Sequence, residues 1–159
     1  LDTARYDLIA ALCYERHHTL VAFQWKHQRD ALLAALDRAG IEDVAVIDGS
    51  TKDTTQVASD FQDGHYRVLL AQPQSAGHGL TLTRATTVIW ASPTWNAEIY
   101  EQFNRRIYRT GQTRKTEVIH IVGADTADER VYSGLQSKLE GQLDLLTVLK
   151  DLTQMEQAA

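Results

Sequence analysis

Short apolar runs rich in β-forming residues alternate with stretches of helical periodicity along most of this chain, and that rhythm limits the folds open to it. Residues 4–16 carry Tyr6, Ile9, Ala10 and Cys13 at near-helical spacing. HTLVAFQW (18–25) reads as a buried strand. A helical stripe of Ala31, Leu32, Ala35 and Leu36 follows and ends at Gly40, a residue type suited to the position just past a helix end. Further strands are expected at 43–48, 65–72, 86–92 and 116–123. Helices are expected at 53–64, with Asp53 as N-cap, at 96–111, ended by Gly111, and at 127–152, with a break near Gly134 or Gly141. Strands separated by helices of this length make βαβ units, and nearly continuous apolar strands need cover on both faces. The expected fold is therefore α/β, a three-layer α/β/α sandwich around a mostly parallel sheet. Ligands should gather at the carboxyl ends of its strands.

The 159 residues suffice for one domain, taken here as 1–159. Apolar residues at 43% and charged residues at 23% match an ordinary water-exposed domain. No apolar run approaches the length of a membrane span, and the opening LDTARYDL has no leader pattern. Because that opening also lacks Met, the chain reads as an excised piece or a processed start. One cysteine, Cys13, excludes an internal disulfide and a cysteine-rich zinc site, and it fits a reducing compartment. The six histidines are scattered, and His17-His18 lacks the spacing of a metal-binding helix face, so they read as structural or solvated. A net charge of −5 argues against a uniformly basic nucleic-acid binder. The charge is uneven, however: Arg105, Arg106, Arg109, Arg114 and Lys115 follow one another with no acidic residue between them.

In the helix expected at 96–111, Ile99, Phe103 and Ile107 fall on one stripe, and Gln102, Arg106 and Arg109 share a neighbouring face. Two guanidiniums on one face repel unless an anion sits opposite, and the planar fork suits phosphate or carboxylate. A plainly solvated basic face would look the same. SAGHGLTLT (75–83) follows a strand, with glycines that let main-chain amides approach a ligand and with hydroxyls at Ser75, Thr81 and Thr83. An ordinary turn uses the same residues. DGST (48–51) offers Ser50 and Thr51 to a backbone phosphate, or is only a turn leading into a helix. No GxxxxGK[ST] phosphate cradle and no DE-x-H box occurs, so the arginines would serve a phosphate held elsewhere.

These segments, in this order, resemble the C-terminal RecA-like lobe of Snf-type (Swi/Snf-like) members of helicase superfamily two, from about Thr19 to Leu146. VAFQWKHQ resembles motif IV, and VIDGST with FQDG resembles the segment beside it. LLAQPQSAGHGLTLTRATTVIWASPTWN resembles motif V with its following strand, including Trp95-Asn96. EQFNRRIYRTGQ resembles motif VI (Q-x-x-D-R-x-H-R-x-G-Q), and TADERVY (126–132) the start of the last helix. The resemblance implies the second lobe of an ATP-dependent DNA helicase or translocase, inactive alone, whose partner is an N-terminal RecA-like lobe holding ATP and Mg2+. It implies catalytic roles for Arg106 and Arg109, the latter as the finger, and ATP-side roles for Gln102, Gly77, Gly79 and Gln112. It implies DNA-phosphate contacts, without base reading, for Ser50, Thr51, Ser75 and Thr81. A cytoplasmic setting, or a nuclear one in a eukaryote, goes with it.

The sequence departs from that pattern in places. Arg105 replaces the usual Asp, Tyr108 the common His and Thr81 a frequent Asn, and His78 interrupts a double glycine. These suggest a divergent phage or bacterial branch and leave the fine nucleotide contacts open. A kinase- or GTPase-like enzyme is disfavoured by the missing P-loop. A non-catalytic RecA-like scaffold and an RNA-acting helicase remain alternatives, since nothing in these residues senses a 2′-hydroxyl.

Overall fold

Five parallel strands, each paired over four residues, form the centre of the computed structural model, which describes residues 3–76, 79–123 and 127–138. They are β1 (Thr19–Ala22), β2 (Val44–Ile47), β3 (Val68–Ala71), β4 (Thr87–Trp90) and β5 (Glu117–His120), in the spatial order β2-β3-β1-β4-β5. Thr19 of β1 stands level with Val68 on one side and Thr87 on the other, which sets the register of the central three strands. The paired segments are shorter than the apolar runs suggest, although single main-chain bonds extend the ladders. The Phe23 amide donates to the Ala71 carbonyl at 3.2 Å and the Ala91 amide to the Ala22 carbonyl at 2.9 Å.

Side chains of successive strand residues point to opposite faces, and both faces are covered. Leu20, Ala22, Leu69, Ala71, Val88 and Trp90 pack on one side, under α3 (Thr54–Gln62), α4 (Ala97–Asn104) and α5 (Ala127–Lys138). Val21, Phe23, Val68, Leu70, Ile89 and Ala91 pack on the other, under α1 (Ala4–Tyr14) and α2 (Lys26–Arg38). The expected three-layer α/β/α arrangement is what forms. Ile9, Ala10 and Cys13 supply the buried stripe of α1, and Leu32, Ala35 and Leu36 that of α2. Burial raises the Cys13 thiol to about 12, so it stays a neutral packing group.

The helix ends follow local chemistry. Asp53 accepts the Gln56 amide at 3.0 Å and caps α3. Asn96 accepts the Ile99 amide at 3.1 Å and caps α4. Gly40 takes φ +80° directly after α2, which lets the Ile41 amide bond back to the Leu36 carbonyl at 2.9 Å.

One expectation is corrected and another narrowed. The helix from Asn96 does not run to Gly111; α4 stops at Asn104. Beyond it the chain tightens into i→i−3 turns, with the Arg106 amide bonded to the Phe103 carbonyl and the Ile107 amide to the Asn104 carbonyl. The cause is tertiary. The Asn104 side chain is drawn inward to accept the Trp90 indole N–H at 2.8 Å, and the Arg106 carbonyl is taken by the Leu82 amide at 2.9 Å. The buried stripe is accordingly Tyr100, Phe103 and Ile107, while Ile99 is only half-buried. The break expected near Gly134 or Gly141 does not fall at Gly134, through which α5 continues. Glycine there has a packing reason: an added Cβ would lie 2.8 Å from Cζ3 of the Trp95 ring. Gly141 and the remainder of the helix expected to reach 152 lie outside the described residues.

Alanine is a better helix former than glycine by about 1 kcal/mol, so an exposed Gly134 would gain from the change. Here the collision should win. Gly134→Ala is expected to lower the urea midpoint of unfolding, followed by circular dichroism; an increase would mean that the indole moves aside at no cost.

Candidate phosphate-facing site

The loop from Gln72 to Thr86, which joins β3 to β4, and the turns after α4 are sewn together along their main chains. The Leu82 amide donates to the Arg106 carbonyl. Gln112 completes the seam: its Nε2 lies 2.8 Å from the Thr83 carbonyl, 3.1 Å from that of Ala85 and 3.0 Å from that of Ile107. Its Oε1 accepts the Arg114 amide at 3.2 Å. Gly111, at φ +101°, provides the left-handed step that turns Gln112 back toward this seam. Arg109 adds a third link, its Nη1 donating to the carbonyls of Gly79 at 3.3 Å and Leu80 at 3.1 Å.

Where the two segments meet, Gly79, Gln102, Arg105, Arg106, Tyr108 and Arg109 line an open pocket of about 310 Å3. Among the described residues three guanidiniums reach it and no carboxylate lines it. Arg105 is engaged in an ion pair with Glu101, one helical turn back. Gln102 leans on Glu98, with Nε2 3.1 Å from Oε1. Arg106 is half-buried; burial first, and the neighbouring Arg109 second, push its pKa down from the usual guanidinium value. Arginine remains charged under such a shift, and two neighbouring guanidiniums suit an anion placed between them. A polyphosphate fits that place, since its oxygens accept from planar forks. Among the described residues no group of three or more His, Cys, Asp or Glu comes together.

The structure thus brings Gly79, Gln102, Arg106 and Arg109 to one place even though the helix expected to align them ends early. Gln112 lies in the seam beneath, its amide occupied by main-chain carbonyls. Gly77 lies outside the described residues. Ser50, Thr51, Ser75 and Thr81 do not line this pocket.

The first three of these follow the carboxyl ends of β2 and β3. The Ser50 hydroxyl donates to Asp48 Oδ1 at 2.6 Å. Thr51 Oγ1 accepts the Asp48 amide at 3.0 Å and donates to the Val46 carbonyl at 3.3 Å. Ser75 Oγ stands 3.4 Å from Gln72 Oε1, and Thr81 is exposed. Asp48, missed as a site residue in the sequence, is the hub of the DGST turn. It receives Ser50 on one oxygen and Arg29 Nη1 at 2.6 Å on the other. The Ser50 hydroxyl and then the Arg29 guanidinium hold its carboxyl at about 2. Tyr108 was also missed as a pocket residue; its position between Arg106 and Arg109 in sequence was the available signal.

With this geometry in place, comparison with known proteins defines the class. The chain matches the helicase conserved C-terminal domain over residues 4–111 and belongs to that family. It is 34% identical over 129 residues to protein CHROMATIN REMODELING 24 of Arabidopsis thaliana, covering 79% of this chain and 12% of that protein. It is also 34% identical over 138 residues to protein p41 of Acyrthosiphon pisum secondary endosymbiont phage 1, covering 82% of this chain and 28% of the relative. The Snf-type resemblance therefore holds, and the phage relative agrees with a divergent branch. The chain spans well under a third of the length of these relatives. Among solved structures, the C-terminal part of the Fun30 ATPase domain shares the RecA-like fold, with a TM-score of 0.75 at 20% identity over 82% of this chain and 44% of that one. Among the described residues no helix is long and apolar enough to cross a membrane.

Two outcomes follow from these contacts. Gln112→Leu, which keeps the bulk but removes every carbonyl partner, should destabilise the chain by about 2 kcal/mol, since each orphaned buried acceptor carries a desolvation cost. Calorimetry measures this; an unchanged melting temperature would refute the clasp. Asp48→Asn should lower the melting temperature at neutral pH. Because the folded carboxyl titrates below its unfolded value, that loss is full above about pH 4 and closes as pH falls toward about 2.

Proposed function

We propose that this chain is the second motor lobe of an ATP-dependent DNA translocase or helicase, a single domain over 1–159 that completes an ATP site held by a first lobe outside this sequence. The observation that carries this reading is the pocket itself: Arg106 and Arg109 converge beside the main chain at Gly79, with no carboxylate among the described lining residues and no phosphate-cradle motif in the sequence. ATP with its Mg2+ supplies the free energy of hydrolysis when bound by the first lobe. Arg109, exposed and tethered only through carbonyl oxygens, can leave Gly79 and Leu80 and place its fork on terminal phosphate oxygens. Arg106, held more deeply, is the fixed charge behind it. Gln102 flanks both.

The loops after β2 and β3 are proposed to follow one DNA strand by its phosphates, without reading bases. Exposed Ser50 can turn its hydroxyl outward by releasing Asp48, and exposed Thr81 can donate directly. Thr51, with both roles of its hydroxyl used internally, would act by shaping the turn that presents Ser50. The choice of DNA over RNA leans on the relatives, one of which is by name a chromodomain-helicase-DNA-binding protein. As the β3–β4 loop carries Ser75 at one end and the carbonyls that hold Arg109 further along, a change at the nucleotide is transmitted to the strand-contacting edge through one short stretch of backbone.

The isolated chain should hydrolyse no ATP, whereas a two-lobed parent should do so with stimulation by DNA. Arg109→Ala in that parent is expected to lower kcat by at least about 100-fold, within the range for a trans-acting arginine, and to leave DNA affinity nearly unchanged. Appreciable turnover by the lone chain, or loss of DNA binding with ATPase intact, would sink the proposal.

A further inference from the structure

At the opposite edge of the sheet, where the strands begin, a second groove of about 480 Å3 is lined by His17, His18, Gln62, Thr83, Arg84 and Arg114. Parallel topology places it there. His17 and His18 lead into β1, Arg84 lies just before β4 and Arg114 just before β5. The two guanidiniums are fixed by neutral partners. Arg84 Nη1 donates to the Gln62 carbonyl at 3.2 Å, and its Nε is 3.4 Å from His18 Nε2. Arg114 Nη2 donates to the carbonyls of Thr83 at 3.0 Å and Arg84 at 2.7 Å. Among the described residues neither forms an ion pair with a carboxylate. Gly64 keeps this arrangement open, because a Cβ there would lie 2.7 Å from Arg84 Nη2. At the same edge Arg67 is tied to the Arg16 carbonyl at 3.3 Å and lies over the Tyr14 ring.

Carbonyl-bound guanidiniums are positioned without being neutralised, so the groove presents net positive charge on a chain whose total is −5. The imidazole of His18 registers that field. Burial holds it below its ordinary value, Arg84, Arg114 and His17 add to the shift, and Asp43 opposes it more weakly. All six lining side chains are polar or cationic. A protein partner would find no apolar anchor here, and such anchors dominate protein–protein affinity. Phosphate oxygens, by contrast, are met by arginine forks together with neutral donors such as glutamine and threonine.

We propose that this groove at the amino edge of the sheet is a second phosphate site that holds nucleic-acid backbone, at the end of the β3–β4 loop remote from Ser75 and from the turn that carries Ser50. It is separate from the Arg106–Arg109 pocket, and its test does not depend on ATP hydrolysis. A strand or duplex arm running past the lobe would then be gripped at both ends of the sheet, by charge alone and independently of sequence.

The imidazole resonances of His17 and His18 report on the groove directly. Adding a short single-stranded oligonucleotide to the full chain should shift them, with a midpoint that rises with salt. Arg84→Gln combined with Arg114→Gln should weaken that response by about 10-fold, as expected for the loss of two charge-assisted contacts. His17→Glu, at an exposed position where folding is not at stake, should weaken it as well. The proposal is overturned if the oligonucleotide leaves the imidazoles unmoved, or if His17→Glu responds as the parent does. It is overturned too if inorganic phosphate acts at the same phosphate concentration, which would mark a free-anion site, or if a polyglutamate peptide acts at lower concentration than the oligonucleotide.

Discussion

The hydrogen bond from the Leu82 amide to the Arg106 carbonyl joins two segments that are distant in sequence, and the arginine pocket exists because they meet. With the Gln112 and Arg109 links beside it, this bond fixes the turns after α4 against the loop after β3. Gln112 strengthens the junction from below by accepting no substitute geometry: three carbonyls converge on one amide nitrogen. The same junction explains why α4 is short. A helix continued to Gly111 would need the Arg106 carbonyl for itself, and would carry Arg109 away from Gly79.

Much of the architecture was legible in the sequence, for a physical reason. A parallel sheet covered on both faces demands uninterrupted apolar strands, and runs such as VLLA and TVIW can be little else. The Asp53 cap was legible too, since it acts through a contact three residues away. What periodicity could not disclose was any feature decided by a distant partner. The end of α4 depends on Trp90 and Leu82, and the need for glycine at position 134 comes from Trp95.

The site was legible in composition and misread in geometry. Arg106, Arg109, Gln102 and Gly79 do share a pocket, but turns and a crossing loop assemble them rather than a helix face. Asp48 was passed over because a turn aspartate is commonplace; its importance comes from Arg29, which stands 19 positions earlier in the chain. The histidine pair, read as structural or solvated, has His17 exposed and His18 half-buried, and its neighbours Arg84 and Arg114 approach only through the sheet.

The three tryptophans occupy three different settings. Trp90 is fully buried with its N–H bonded to Asn104, while Trp25 and Trp95 are 62% and 57% exposed at the carboxyl edge. Trp95 lies against α5 and Trp25 precedes α2. The molecule therefore carries its own optical gauges. A buried indole emits at shorter wavelength than a wet one, so once Trp25 is replaced by Phe, emission colour separates the state of the sheet, read at Trp90, from the seating of the last helix, read at Trp95, with no added label.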